Sequence, residues 1–258
     1  PLTEIRTLRD EDEAEDFLLL LCRVFGLDPN RARDVFFNEP LFDLERKWAL
    51  FEAGEMVSIL TTTPLEFGWG SAAGVAGVCT DPDRQREGLA ARLLDRVIRE
   101  SERRGEGAML LFAQRLELYE RVGFEPIDRV IRAPLNLVLD ERFQAIDWDE
   151  VRTTYDAWSQ AAPERLRRDN RRWKYWEWHY RTARRVGAGY VCEENGTLRE
   201  GLWHRSENSL PLPPGTEWLG LTAMADLLGL TFDRAVEETI LMGRNFPGVP
   251  LMFMTDQF

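Results

Sequence analysis

Gly88 stands where a polar run gives way to a helical pattern, with Arg84, Arg86 and Arg92 around it. The start of a helix carries unpaired N–H groups and a partial positive charge, so it binds phosphate when the ligand can come close. A glycine at that point removes a side chain from the path of approach, and Ala90 keeps the path open. The segment Gln85-Arg86-Glu87-Gly88-Leu89-Ala90 is therefore a candidate phosphate grip. The histidines, His179 and His204, are too few and too far apart for a metal cage, and Cys22, Cys79 and Cys192 lack the short spacing of a zinc site, so no metal is expected. Cys79 has no neighbour that would lower its pKa and reads as a small core residue.

The elements that must hold these residues follow from periodicity. Leu89, Ala90, Leu93, Leu94, Val97 and Ile98 form one apolar stripe, which predicts a helix over 86–104. The small apolar run 72–80 before it predicts a buried strand, bulged at Gly74 or Gly77, and 108–113 predicts another. Together they make a strand–helix–strand crossover with parallel strands. Upstream, 2–8 reads as a strand and Asp10 with Glu13 as a capping box. A helix then carries Phe17, Leu18, Leu21 and Phe25, a second helical piece breaks near Pro40, and 47–53 and 56–63 are strands. Residues 115–122 form a short helix ended by Gly123, and 124–133 a strand. A boundary falls near 134–147, which divides the chain into 1–135 and 136–258. The second part reads as helices at 148–161 and 164–182, strands at 187–193, 199–205 and 216–222 with an Asn195-Gly196 hairpin, a helix at 231–243 and a strand near 249–254. Its order of elements echoes the first part without repeating its sequence.

The chain has 258 residues and a net charge of −12, and both parts are acidic. Acidic chains repel phosphate backbones, so nucleic acid is not the expected partner, whereas a cationic small molecule suits that field. The apolar run Phe17–Cys22 is far short of the roughly 20 residues that cross a bilayer, and acids precede it, so neither a membrane span nor a signal peptide is expected. An odd number of scattered cysteines points to a reducing, cytoplasmic setting. The start at Pro1 rather than Met suggests a trimmed N-terminus.

Gln85-x-x-Gly88-x-Ala90, after an apolar strand and opening a long amphipathic helix, resembles the acetyl-CoA pyrophosphate loop of the GCN5-related N-acetyltransferases. Leu118-Tyr119-x-x-x-Gly123-Phe124 resembles a second motif of that family, in the right order. Tyr155-x-x-Trp158, Pro163, Leu166-Arg167-Arg168 and Trp173 resemble the opening of the middle domain in the enhanced-intracellular-survival branch. That branch implies an α/β (α+β) fold: a mixed sheet with splayed central parallel strands at 1–135, then a second, degenerate domain of the same type at 136–258. The branch's third, sterol-carrier-like domain does not fit within this sequence.

The resemblance implies acetyl-CoA as co-substrate and direct attack by an amine with both substrates bound. Val78, Cys79 and Thr80 would pair with pantetheine, and Arg84, Gln85, Arg86, Glu87, Gly88, Leu89 and Ala90 would surround the diphosphate. Glu87 departs from the family's usual Arg, Lys or Gly and is expected to retune affinity. Tyr119 would protonate the departing thiolate. The strand 72–80 holds no acid, so the base is open: the branch implies a C-terminal carboxylate on an aromatic residue, here Phe258, while Glu39, Asp43 or Glu66 acting through water are equal contenders. Glu39 and Asp43 would form an acidic wall for a primary amine on a cationic small molecule or a peptide lysine. The rival reading is an acetyl-CoA-binding interaction module without turnover. A homodimer is a possible assembly. The basic, aromatic stretch Arg165–Arg181 reads as a helix with a core-facing stripe of Trp173, Trp176 and Tyr180 and a solvated basic back, rather than as a single-strand grip.

Overall fold

The computed structural model of the chain describes residues 2–142, 144–180 and 182–258; Pro1, Phe143 and Arg181 lie outside the described residues, and with them the readings that touch Pro1 and Arg181. Strand β1 (Thr3–Thr7) leads into helices α1 (Glu11–Phe25) and α2 (Pro29–Asn38), followed by strands β2 (Lys47–Glu52), β3 (Glu55–Phe67) and β4 (Gly70–Thr80). Asp10 caps α1 by accepting from the Glu13 N–H at 2.9 Å, as its position before the apolar stripe predicts. Helix α3 (Leu89–Arg103), strand β5 (Ala108–Ala113), the single turn α4 (Glu117–Glu120) and strand β6 (Glu125–Pro134) complete the first part. The second part holds β7 (Val138–Leu139), α5 (Trp148–Gln160), α6 (Asn170–His179), β8 (Arg184–Val186), β9 (Gly189–Glu194), β10 (Thr197–Leu202), β11 (Ser209–Leu210), β12 (Glu217–Leu221), α7 (Thr222–Leu227) and β13 (Val236–Arg244).

Eleven strands form one mixed sheet in the order β1-β2-β3-β4-β5-β13-β6-β12-β10-β9-β8. β4 and β5 run parallel, as the crossover predicts, and α3 packs Leu93, Leu94, Val97 and Ile98 onto β2–β5. The opposite face of β2–β4 is covered by α1 through Phe17 and Leu20. The second part builds its core from Tyr155, Trp173, Trp176, Tyr190 and Trp218.

Several elements of the second part differ from the sequence reading. Residues 231–243, read as a helix, hold β13, which lies antiparallel between β5 and β6. Val236, Thr239 and Ile240 are β-branched, and a central sheet position outweighs the helical preference of Glu237, Glu238 and Met242. The strand expected near 249–254 is a single bridge at Leu251 followed by a 3₁₀ turn at Met254–Asp256. Helix α6 starts at Asn170, six residues later than read, capped by Asp169. Trp173 and Trp176 face the core as expected, but Arg168 and Arg172 are buried with them instead of lying on a solvated back.

Candidate active site

The phosphate end is built locally. After β4 the chain makes a 3₁₀ turn at Pro82–Arg84, then passes through left-handed conformations at Arg86 (φ 68°) and Gly88 (φ 76°). A side chain at Gly88 would touch no protein atom, so the glycine serves the left-handed turn and leaves the approach clear for a ligand. No side chain caps α3, so its first N–H groups face solvent unpaired. Val78, Cys79, Thr80, Arg84, Gln85, Arg86, Gly88, Leu89 and Ala90 line one cavity of about 480 Å³. Glu87 does not line it. Its carboxylate is held by Arg84 at 2.8 Å, which keeps it below the usual carboxylate range, and Arg84 also pairs with Glu52. Arg115 and Arg121 add positive charge to this cavity; the sequence reading missed them because they follow β5 far from the glycine motif.

Between this cavity and the sheet's interior, β4 and β5 part. They pair only from Ala72 to Val75 against Ala108 to Leu111, and beyond Val75 the β4 edge toward β5 has no strand partner among the described residues. A bulge at Gly77 (φ 64°) sets Gly77 and Val78 against Leu60 alone; of the two glycines expected to bulge, Gly77 does so. The gap is a cavity of about 550 Å³, lined by Val75, Ala76, Gly77, Val78, Phe112, Tyr119, Gln257 and Phe258 among others. Burial holds the Tyr119 phenol above its ordinary value, so it stays a proton donor through neutral pH. The Cys79 thiol is pushed up to about 12 by burial and is inert.

A third cavity, of about 180 Å³, continues from the second and shares Gln257 and Phe258 with it. Glu39, Asp43, Arg46, Lys47, Thr61, Thr63 and Arg172 are among its walls. Both acids named from the sequence are thus here, but so are cations the sequence reading did not place. Glu66 lies elsewhere, exposed and bonded to Ser71. Phe258 lies over Gly74, whose missing Cβ would stand 2.8 Å from the phenyl ring, and 5.2 Å from the Phe112 ring centre. Glycine at 74 therefore serves this close approach rather than a bulge.

The last residues are held by a buried charge cluster. Asp256 accepts from Arg168 at 2.6 Å and pairs with Arg172 at 3.4 Å; Arg168 also meets Glu200 at 2.5 Å. Arg168 lies 3.7 Å from the Tyr155 ring centre and 4.7 Å from that of Trp173. Four charged groups from α6, its approach, β10 and the chain's last turn are closed off from water, a cost offset by this mutual pairing and by hydrogen bonds that Tyr190, Thr255 and Trp176 donate to Glu200. The Leu166-Arg167-Arg168 motif contributes its third residue to this cluster. No other sequence signal pointed to Asp256 as its partner.

Residues 4–127 match the model of the acetyltransferase (GNAT) domain family, and that part of the chain belongs to it. The fold is that of the GNAT acetyltransferases. Among solved structures, a GCN5-related N-acetyltransferase from Kribbella flavida aligns over 94% of this chain and 72% of its own, with TM-score 0.72 at 15% identity. Eis1 from Mycobacterium abscessus aligns over 93% of this chain and 73% of its own, with TM-score 0.61 at 18% identity. A putative acetyltransferase from Pyrococcus horikoshii aligns over 96% of this chain and 94% of its own, with TM-score 0.63 at 13% identity. At these identities the likeness is one of fold, and it extends through both parts of the chain. No curated protein matches by sequence. Among the described residues no helix is long and apolar enough to cross a membrane.

Proposed function

We propose that this chain moves an acetyl group from acetyl-CoA to a primary amine, with both substrates bound at once. The observation that carries this reading is the run of three adjoining cavities: open helix N–H groups at one end, a parted strand edge and Tyr119 in the middle, and a charged chamber at the other. Backbone N–H groups of Gly88, Leu89 and Ala90 take the diphosphate, with Arg84, Gln85 and Arg86 around it. The free edge at Val78, Cys79 and Thr80 pairs with pantetheine, and an N–H there polarises the thioester carbonyl. The amine nitrogen attacks the acetyl carbon, the carbon–sulfur bond breaks, and Tyr119 hands its proton to the leaving sulfur. The amine's proton goes through water to a carboxylate of the third cavity, Glu39 or Asp43, with Phe258 standing at the junction of the second and third cavities. Glu39 and Asp43 receive the amine.

Glu87, whose carboxylate beside a diphosphate would weaken cofactor binding, is turned aside onto Arg84. The test is twofold. Calorimetry with acetyl-CoA should give saturable binding, and a thiol assay should show coenzyme A release that depends on added primary amine. Binding without amine-dependent release in a broad panel would favour the rival, a module without turnover.

A further inference from the structure

Five charged side chains named above line the acceptor chamber, and three are spent in ion pairs. Asp43 meets Arg171 at 3.7 Å, Arg46 meets Glu106 at 2.8 Å, and Arg172 meets Asp256. His179 stacks on Tyr175. Glu39 and Lys47 are left. Glu39 uses one oxygen to accept from the Leu41 N–H at 2.7 Å, and burial holds its carboxyl above the usual range. Lys47 is 7% exposed, and among the described residues neither a hydrogen bond nor an ion pair reaches its Nζ. Its ammonium rests on the faces of Phe17, Phe36 and Phe42, at 5.3, 4.6 and 5.3 Å from their centres. Such contacts offset part of the cost of burying a cation, but they make no hydrogen bond.

The register fixes where this ammonium stands. Lys47 pairs with Thr61 and Thr61 with Ala76, so the three share one face in one row across the sheet. Two strand spacings, about 10 Å, separate the Lys47 backbone from the β4 edge where the acetyl group would lie. The lysine side chain rises from this row into the chamber wall, and a short ligand lying along the row would span the distance to the edge. A chamber of about 180 Å³ falls below the roughly 300–1,000 Å³ of pockets for drug-sized ligands.

We infer that the acceptor is a small zwitterionic amine of the amino-acid type, its carboxylate bound by Lys47 and its amine held by Glu39 against the acetyl carbon. This rests on the acetyl-transfer reading and narrows it, away from polyamines, bulky polycations and protein lysines. Glu39 binds the ammonium and takes the proton it must lose before its nitrogen attacks; the product is a neutral amide, so it loses one of its two anchors and leaves.

The test uses matched pairs of acceptors in the thiol assay: γ-aminobutyrate against n-butylamine, and lysine against 1,5-diaminopentane. The carboxylate-bearing member should have a kcat/KM about tenfold to a hundredfold higher, through KM. Lys47→Met should collapse that ratio to near unity, while Lys47→Arg, which keeps the charge, retains most of it. Acetyl-CoA calorimetry on both variants checks that the fold is intact. Equal or better use of the amines without carboxylate overturns the inference, as does a ratio that survives in Lys47→Met. If acetyl-CoA binds the wild-type chain but the ratios are flat, only this inference fails. If acetyl-CoA does not bind, the acetyl-transfer reading falls with it.

Discussion

The two ends of the cleft are assembled differently. The phosphate end is built mainly on one continuous segment, 78–90, shaped by two left-handed residues and an uncapped helix, with Arg115 and Arg121 added from beyond β5. The acceptor end draws on α2, β2, β3, α6 and the last two residues, and it is held by charges that are neighbours only in the folded chain. A local site depends on backbone conformation; a dispersed one depends on buried pairing. Damage to the first should fall on cofactor affinity, whereas damage to the second should fall on stability and on transfer to the amine.

The middle of the cleft carries the largest expected effect. Tyr119→Phe should lower kcat by about 10²–10⁴ while leaving acetyl-CoA affinity unchanged, measured by steady-state kinetics and calorimetry. An unchanged kcat would leave Tyr119 as a wall and nothing more. Asp256→Ala removes the partner of Arg172 and one of the two carboxylates on Arg168, at about 3 kcal/mol or more. Its melting temperature should fall by roughly 10 °C. Transfer to the amine should also fall, because Phe258 loses its anchor two residues away. Gly88→Val forces a β-branched residue to a φ near 76° and fills the approach to the helix, so acetyl-CoA affinity should fall about 10- to 100-fold with little change in melting temperature.

Lys47 separates the two ends by pH. Its folded-state value is lowered to about 8 by burial, against 10.5 for an ordinary lysine. Between those values the unfolded chain binds the extra proton, so the stability contributed at this residue rises with pH. The melting temperature of the wild type should climb relative to Lys47→Met from about pH 8 to about pH 10. Parallel curves would mean that Lys47 titrates normally. The smallest effect belongs to Glu87→Ala: an exposed pair with Arg84 is lost, and acetyl-CoA affinity should stay within about threefold.

The same contrast governs what the sequence disclosed. The segment Gln85–Ala90, the α3 stripe and the parallel strands flanking it are set by residues within a few turns of each other, so spacing alone revealed them. Tyr119 was found by its motif and does face the cleft. Glu39 and Asp43 were placed from charge on one helical segment, but Lys47 was read only as part of a strand. Its importance comes from three phenylalanines and a cavity that no local pattern announces. Arg168 and Arg172 looked like a solvated face because helical periodicity reports which residues line up, not which partner covers them. Residues 231–243 were misread for a related reason: their fate is decided by β5 and β6, far away in sequence.

That misread strand also sets a timetable. β13 lies between β5 and β6, so the middle of the sheet closes only when chain near position 244 joins chain near position 110. A polypeptide emerging from the ribosome carries β5 with a bare flank until residues 236–244 have been made, an adhesive edge during synthesis. Pairing across so long a loop is slow, and a nascent chain cut at residue 135 never completes it.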